Sequence, residues 1–171
     1  MAEYFDIYDE NGKHLGTALR SECHGNPALI HCTAHVAVLH PENGKLLLQK
    51  RRMDKDIQPG KWDTAVGGHL DAGETFESAA RRELSEELGV KGEVELTHLF
   101  DSRIRNSIES ENTRIFGVKL SGPFDFQRTE IDDVRFFSAA ELEDPEYRKE
   151  FTPNLLVELE DLKKCGFYPA E

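Results

Sequence analysis

The sequence predicts an α/β (α+β) fold in which a mixed β-sheet lies between helices. Short apolar runs that are typical of strands alternate with two or three segments that are typical of helices, and this alternation favours helices packed on a sheet. The 171 residues contain no internal repeat, low-complexity stretch or linker. A chain of this length buries most of its apolar surface around one core. We therefore expect residues 1–171 to form a single domain.

The first half of the sequence predicts a β-hairpin followed by two core strands. Residues 4–8 alternate apolar and polar side chains, residues 15–19 resume an apolar strand, and the segment between them contains Asn11 and Gly12. Both residue types favour a tight turn. The sequence next predicts a loop over 20–27, strands over 28–39 and 45–50, a surface loop over 53–62 and a short strand over 62–66.

The second half predicts further strands and two helices besides the one described below. Ser138 and Glu141 have the spacing of a capping box at the start of a short helix. Thr152 and Pro153 fit the N-cap and first position of a last helix, which ends at Gly166. The remaining predicted elements are strands over 93–105, 113–120 and 134–137, and a polar loop over 106–112.

Composition and charge exclude several classes of function. The net charge of −12 repels polyanions, so we expect no binding of long nucleic acid. No apolar run approaches the length of a membrane span, and the N-terminus is acidic where a signal peptide would be basic. The three cysteines at 23, 32 and 165 are an odd, sparse set, which favours a reducing compartment. We expect a cytoplasmic protein that does not bind membranes.

A helix is predicted from Phe76 to the residue before Gly89, because the segment is rich in Ala, Leu, Glu and Arg and has no Pro or internal Gly. At about 100° per residue, Glu83 and Glu87 fall within its apolar sector and Glu86 falls at the edge. That sector contains Ala79, Ala80, Leu84 and Leu88.

Carboxylates on an apolar helix face need a partner. Burial of an unpaired charge costs several kcal/mol, and clustered carboxylate oxygens bind hard cations such as Mg²⁺. The alternative is a solvated charged face, which is common for Glu-rich helices. The angular position of the glutamates favours a site for a divalent metal ion.

The same residues resemble the signature of the Nudix hydrolase family. Every specified position of that signature is matched between residues 68 and 90, by Gly68, Glu74, Arg82, Glu83, Leu84, Glu86, Glu87, Gly89 and Val90. Such an agreement is far more specific than a lone Gly-rich motif.

The resemblance implies a Nudix-like α/β/α sandwich and hydrolysis of a small diphosphate compound with Mg²⁺ or Mn²⁺. It implies that Glu83, Glu86 and Glu87 are metal ligands or the catalytic base, and that the Gly67 carbonyl is a further ligand. Arg82 is expected to orient the glutamates through an ion pair. Because Nudix relatives often dimerise, a homodimer is also expected.

Basic residues on either side of the signature are candidates for binding phosphate. We expect Arg51, Arg52, Lys55 and Lys61 to contact the substrate. A second group, Arg103, Arg105 and Arg114, follows the signature. The alternative for any of these residues is a scattered surface charge.

A second group of potential metal ligands comprises His24, His31, His69, Glu109 and Glu111. Glu109 and Glu111 are two residues apart, so on a strand they project to one side. Imidazoles and carboxylates together suit Mn²⁺, Zn²⁺ or Fe²⁺. The alternative is that each His is an ordinary hydrogen-bonded side chain.

The order of elements and these five residues also resemble the type I isopentenyl diphosphate isomerases, a branch of the Nudix superfamily in which the matching residues bind a metal. The chain departs from that branch at Gly67, where the isomerases have a cysteine acid/base, and at Asn154, where they have an aromatic residue. Glycine has no side chain that can transfer a proton.

We therefore predict a diphosphate hydrolase in which Glu86 or Glu111 activates a water molecule. Two alternatives are isomerisation of isopentenyl diphosphate and a noncatalytic sensor that binds a nucleotide sugar. The intact glutamate set argues against the sensor, because a binding module does not need it.

Overall fold

Within residues 2–168, the part of the chain that the computed structural model describes, the backbone forms one mixed sheet of nine strands with helices packed on it. The strands are β1 (Tyr4–Tyr8), β2 (His14–Leu19), β3 (Ile30–Leu39), β4 (Leu46–Arg51), β5 (Trp62–Thr64), β6 (Val66–His69), β7 (Thr97–Arg105), β8 (Ser110–Lys119) and β9 (Ile131–Phe137). The helices are α1 (Arg20–Cys23), α2 (Phe76–Leu88), α3 (Ala139–Glu143), α4 (Pro145–Arg148) and α5 (Pro153–Lys164).

The sheet is ordered around β3. This strand runs parallel to β8 along its whole length, from Ile30 beside Ser110 to Leu39 beside Lys119. It is antiparallel to β6, and shorter antiparallel contacts join it to β1 and β4. The remaining strands extend the sheet through β2, β5, β7 and β9. The predicted mixed sheet with an N-terminal hairpin is confirmed.

The two faces of β3 carry different helices because successive side chains of a strand point to opposite sides. One face packs against α2 through Cys32, Ala34, Val36 and Val38, which meet Ala79, Ala80, Leu84 and Leu88. The other face packs against α5 through Ala37 and Leu39, which meet Leu155, Leu159 and Leu162. The predicted arrangement of a sheet between helices is therefore confirmed.

The termini of α2 and the C-terminal helices follow their predicted caps. The Thr75 hydroxyl accepts a hydrogen bond from the Ser78 N–H at 3.0 Å, and Gly89 ends α2 with a φ of 68°. Ser138 and Glu141 form the reciprocal capping box of α3. Because the Thr152 hydroxyl accepts from the Leu155 N–H, α5 also begins where expected.

Several predicted boundaries were wrong. The loop over 20–27 contains α1, whose buried Cys23 faces the core. The single strand predicted over 62–66 is divided between two strands, β5 and β6. The second of these continues to His69, so Gly67 and Gly68 lie in a strand and not in a loop. The strand predicted from 93 begins at Thr97, and the strand predicted from 113 begins at Ser110, because residues 110–112 already pair with β3. The sequence interpretation also missed α4, which Asp144 caps.

Two expectations about the whole chain have different outcomes. Among the helices described between residues 2 and 168, none combines the length and the apolar character needed to cross a membrane. The single domain over residues 1–171 stays a prediction.

Packing of α2 on β3 gives a testable prediction for stability. Leu84 is 1% exposed in the core, whereas Leu15 in β2 is 58% exposed. We expect Leu84→Ala to lower the free energy of unfolding by about 2–5 kcal/mol, because it leaves a cavity. Leu15→Ala is the matched control and should change it by less than about 1 kcal/mol. Urea unfolding curves of both variants measure this, and equal effects would contradict the assignment of Leu84 to the core.

Candidate functional site

Two glutamates of α2 meet beneath β6. Glu87 is 8% exposed, and its Oε1 accepts a hydrogen bond from Gln49 Nε2 at 2.7 Å. Burial raises the pKa of Glu87 well above its ordinary value, and the neighbouring Glu83 carboxylate raises this pKa further. Gln49 and a backbone hydrogen bond from Gly67 lower the pKa of Glu87, but by less. Two carboxyl groups are therefore in contact at a buried position, and Glu83 disfavours the charged form of Glu87.

The glycines of β6 make room for this pair. A Cβ atom on Gly68 would lie 2.2 Å from the carboxyl carbon of Glu83, so any side chain there would displace the carboxylate. Leu70 N–H donates to the Cys32 carbonyl at 3.0 Å, and the strand register continues through Gly68 beside Ala34. In this register residue 67 is in a non-hydrogen-bonded pair, so its N–H and C=O both point away from β3.

Arg82 connects Glu83 and Glu86, two of the glutamates expected to bind metal, to the loop that precedes α2. Its guanidinium contacts Glu83 at 2.6 Å and Glu86 at 3.3 Å, and donates to the His69 carbonyl at 3.0 Å. Two further hydrogen bonds of 2.8 Å reach both oxygens of Glu74. Arg82 thus fixes the position of Glu83, while Glu86 is 53% exposed and faces solvent.

These residues have the ligand chemistry of a divalent-cation site, but among residues 2–168 their ligand atoms do not all lie within 4.8 Å of one another. The arrangement offers carboxylate oxygens from Glu83, Glu86 and Glu87, and oxygen ligands of this kind bind Mg²⁺ and Mn²⁺. The contact between Glu83 and the buried Glu87 is unfavourable while both carry charge, and a cation between them removes that cost. Arg82 contacts Glu83 and Glu86 but has no contact with Glu87 among the described residues. The charge of Arg82 therefore does not offset the unfavourable contact between Glu83 and Glu87.

A second cluster lies on the other face of β3. His31, His69, Glu109 and Glu111 each offer a ligand atom, and these atoms lie within 4.8 Å of one another. The Nε2 atoms of His31 and His69 are both 3.2 Å from the same oxygen of Glu111. This convergence of nitrogen and oxygen atoms fits a transition metal or Mn²⁺.

Neighbouring groups determine the pKa values of the Glu109 and Glu111 carboxyls. Burial raises the pKa of Glu111, but hydrogen bonds with His31 and His69 outweigh it and hold that pKa well below its usual range. Burial and the adjacent charge of Glu111 raise the pKa of Glu109 to about 7. Phe5 stacks on both imidazole rings, at centroid distances of 5.3 and 4.9 Å, and fixes their planes.

His24 was expected in this group, but the structure places it elsewhere. It caps the C-terminus of α1, where its N–H bonds to the Arg20 carbonyl, and its side chain is exposed. His24 is not among the residues whose ligand atoms converge in the second cluster, and its part in a metal site stays a prediction.

The basic residues that were expected to contact substrate already have partners. Each pairs with a carboxylate of its own chain: Arg51 with Asp63, Arg52 with Asp54, Lys55 with Glu130, and Lys61 with Glu150. Their role in substrate binding stays a prediction. In the second basic group, Arg114 pairs with Asp101, and Arg103 and Arg105 both pair with Glu10.

A cavity of about 330 Å³ lies between β7, β8 and the N-terminal half of α5. Its lining includes Arg103, Arg105 and Asn154, together with apolar side chains. The Arg105 guanidinium also donates to the backbone carbonyl of Glu111 at 2.9 Å, which places the cavity next to the second cluster.

The cavity contains two residues that the sequence interpretation did not assign to a site, His35 and Glu158. His35 Nδ1 lies 2.6 Å from Glu158 Oε1. Burial lowers the pKa of His35, but the charge and hydrogen bond of Glu158 outweigh it and raise that pKa to about 9. A Cβ atom on Gly67 would lie 3.1 Å from the His35 ring, so Gly67 leaves space for this imidazole.

Comparison with known proteins gives consistent matches. Residues 31–155 match the family model described as the NUDIX domain. A Yersinia pestis protein named as an uncharacterized Nudix hydrolase is 34% identical over 163 residues, which cover 93% of this chain and 85% of the relative. An isopentenyl-diphosphate Delta-isomerase from Streptomyces avermitilis is 36% identical over 145 residues, covering 80% and 72% of the two chains.

The fold is also similar to a solved structure. A crystal structure of a protein from Deinococcus radiodurans superposes with a TM-score of 0.76 and 23% sequence identity, covering 96% of this chain and 99% of the other. At this identity the match supports the fold. The predicted Nudix-like architecture is confirmed.

The ion pair between His35 and Glu158 predicts a pH-dependent stability. The folded protein retains the His35 proton up to about pH 9, whereas an ordinary histidine releases it near 6.5. The stabilisation is complete below pH 6.5 and is lost as the pH rises through 9, which lowers the free energy of unfolding by up to about 3 kcal/mol.

Urea unfolding in metal-free buffer between pH 6 and 10 measures this effect. His35→Gln should remove the decline, and His98→Gln, a control at an exposed histidine paired with Asp101, should retain it. An unchanged decline in His35→Gln would show that another group causes it.

Proposed function

Because the chain belongs to the Nudix hydrolase family and is a diphosphate hydrolase of that family, we propose that it uses Mg²⁺ or Mn²⁺ to cleave the diphosphate linkage of a small organic or nucleoside diphosphate compound. The contact between Glu83 and the buried Glu87 carries the proposal. A pair of this kind costs stability in the metal-free protein and suits a site that holds a divalent ion during function.

In this proposal, Glu83, Glu86 and Glu87 hold the divalent ion together with the Gly67 carbonyl. A bound ion supplies charge neutralisation for the diphosphate and lowers the pKa of water near it. Arg82 keeps the Glu83 carboxylate aimed at the ion and, through Glu74, ties the helix to the loop before it. The glutamate positions are thus set before the substrate arrives, which limits the reorganisation needed for catalysis.

The chemical step is hydrolysis. A water oxygen forms a bond to phosphorus, the bond from phosphorus to the leaving phosphate oxygen breaks, and one proton of the water passes to a carboxylate. Glu86 is a candidate base because its side chain reaches solvent. Glu111 is the other candidate, but its pKa is held well below its usual range, which weakens it as a proton acceptor.

We also propose that His31, His69, Glu109 and Glu111 hold a second metal ion. The substrate is a small molecule, and its phosphates can be met by Arg103 and Arg105 at the cavity or by the predicted group of Arg51, Arg52, Lys55 and Lys61. A homodimer and a cytoplasmic location stay predictions.

Isopentenyl diphosphate isomerisation is the second candidate function. The second cluster and the similarity to the Streptomyces avermitilis isomerase favour it. The missing side chain at Gly67 opposes it, since the space next to that residue holds the His35 ring rather than a thiol.

Replacement of the helix glutamates tests the hydrolase proposal. We expect Glu86→Gln and Glu87→Gln to lower kcat for diphosphate hydrolysis by about 100-fold or more, because each removes a charged oxygen ligand. Glu77→Gln is the matched control, since this glutamate lies on the same helix, is exposed and pairs only with Arg81 among the described residues. The measurement is phosphate release from diphosphate compounds with Mg²⁺ or Mn²⁺.

Urea unfolding of the Glu87→Gln variant shows whether a loss of activity comes from lost metal binding or from misfolding. Glu87→Gln should unfold at a higher urea concentration than the wild type in metal-free buffer, because a neutral amide replaces a buried carboxylate that is in contact with Glu83. Unchanged activity in both Glu86→Gln and Glu87→Gln would remove the proposed centre.

Solvent deuterium exchange distinguishes the two candidate functions. An isomerase incorporates deuterium from D₂O into isopentenyl diphosphate, whereas a hydrolase leaves the carbon skeleton unlabelled. We expect no incorporation with Mg²⁺ or Mn²⁺ present, measured by mass spectrometry of the recovered compound. Incorporation that depends on His69 or Glu111 would instead support isomerisation.

A further inference from the structure

Glu158 carries a buried oxygen atom whose hydrogen-bonding capacity is unused. The side chain lies on α5 and is 8% exposed. Its Oε1 is paired with His35, but its Oε2 is buried and has no hydrogen-bond partner among residues 2–168. A buried polar atom without a partner is costly. Since Glu158 also lines the cavity, a molecule inside the cavity can reach this side chain.

His35 holds the Glu158 side chain in place. The imidazole donates its Nδ1 proton to Oε1, and this contact orients the plane of the carboxylate. Oε2 is therefore held in place as a buried acceptor on a residue that lines the cavity. A preset acceptor of this kind discriminates strongly, because a ligand without a donor leaves it unpaired.

The remaining lining of the cavity fits the organic part of a small molecule. Phe100, Ile115, Pro153 and Val157 provide apolar surface, and Asn154 lies one helical turn before Glu158 on the same face of α5. The volume of about 330 Å³ is at the lower end of the range for small-molecule sites.

The cavity is placed to receive the organic group of a bound diphosphate. Its His35 ring abuts Gly67, next to the helix glutamates, and its Arg105 bonds to the backbone of Glu111 in the second cluster. A diphosphate held at the second cluster, which lies on the same face of β3 as His35, can therefore direct its attached group into the cavity.

We propose that the Glu158 carboxylate is a specificity-determining group, which accepts a hydrogen bond through Oε2 from a hydroxyl or amino group on the organic part of the substrate. This inference rests on the proposed diphosphate hydrolysis and deepens it. The Glu158 carboxylate selects groups that carry a hydrogen-bond donor, such as sugars or amino-substituted rings. It disfavours a pure hydrocarbon such as an isopentenyl group, which would leave Oε2 buried without a hydrogen-bond donor.

Hydrolysis of three terminal diphosphates tests the inference. ADP offers sugar hydroxyls and a base amino group, 2′,3′-dideoxyadenosine diphosphate offers only the amino group, and isopentenyl diphosphate offers neither. The wild type should favour ADP over isopentenyl diphosphate in kcat/KM. Glu158→Gln turns the acceptor into a donor, so it should lower kcat/KM for ADP by about 10- to 100-fold and leave the value for isopentenyl diphosphate unchanged. The dideoxy compound shows whether the donor is a hydroxyl or an amino group.

Two further variants serve as controls. Glu160→Gln changes an exposed glutamate of the same helix and should affect neither substrate. Asn154→Leu removes a polar group from an exposed position of the lining, so it tests the cavity without altering the buried pair. It should lower the preference for ADP over isopentenyl diphosphate, and thermal unfolding of each variant verifies its fold.

Binding without metal separates this inference from the proposed function. Ligand-observed NMR compares adenosine with 3-methylbut-3-en-1-ol, neither of which carries a phosphate. Binding of adenosine to the wild type but not to Glu158→Gln would support the cavity assignment even if no diphosphate were cleaved. Equal loss of both diphosphate substrates in Glu158→Gln, or a wild-type preference for isopentenyl diphosphate, would show that Oε2 faces only a buried water and would overturn the inference.

Discussion

The contact between two carboxylates, one of them buried, is the constraint around which the site is built. Glu87 lies beneath β6 beside Glu83, and burial together with this neighbour makes its charged form unfavourable. Neither Gln49 nor the backbone of Gly67 supplies a positive charge. The apolar packing of α2 on β3 holds the pair in place despite this cost, since Leu84 and Leu88 anchor the same helix face.

The surrounding residues make this contact possible. Gly68 has no Cβ atom that would displace the Glu83 carboxylate, and Arg82 binds Glu83 on the side towards the loop. His69 follows in the same strand, and while its carbonyl accepts from Arg82, its imidazole joins the second cluster. β6 therefore links two candidate metal sites through consecutive residues, and their relative position is fixed by one strand.

Local patterns in the sequence were sufficient for the helix and its glutamates. The periodicity of α2 placed Glu83 and Glu87 on the apolar face, and Thr152 with Pro153 located the start of α5, because both features depend on neighbouring residues alone. The second cluster could be inferred only through resemblance, because its members are far apart in the sequence. The pair of His35 and Glu158 had no local signal, since 123 positions separate the two residues and only the packing of α5 on β3 brings them together. The ion pairs of Arg51, Arg52, Lys55 and Lys61 depend on loop conformations that periodicity does not specify.

The most direct test of the metal centre is a crystal structure of the protein grown with Mn²⁺, with anomalous diffraction recorded to locate the ion. We expect an anomalous peak about 2.0–2.5 Å from carboxylate oxygens of Glu83 and Glu87. A second peak is expected among His31, His69, Glu109 and Glu111. A shared proton between Glu83 and Glu87, with no anomalous peak beside them at saturating Mn²⁺, would show that this pair does not hold a metal ion.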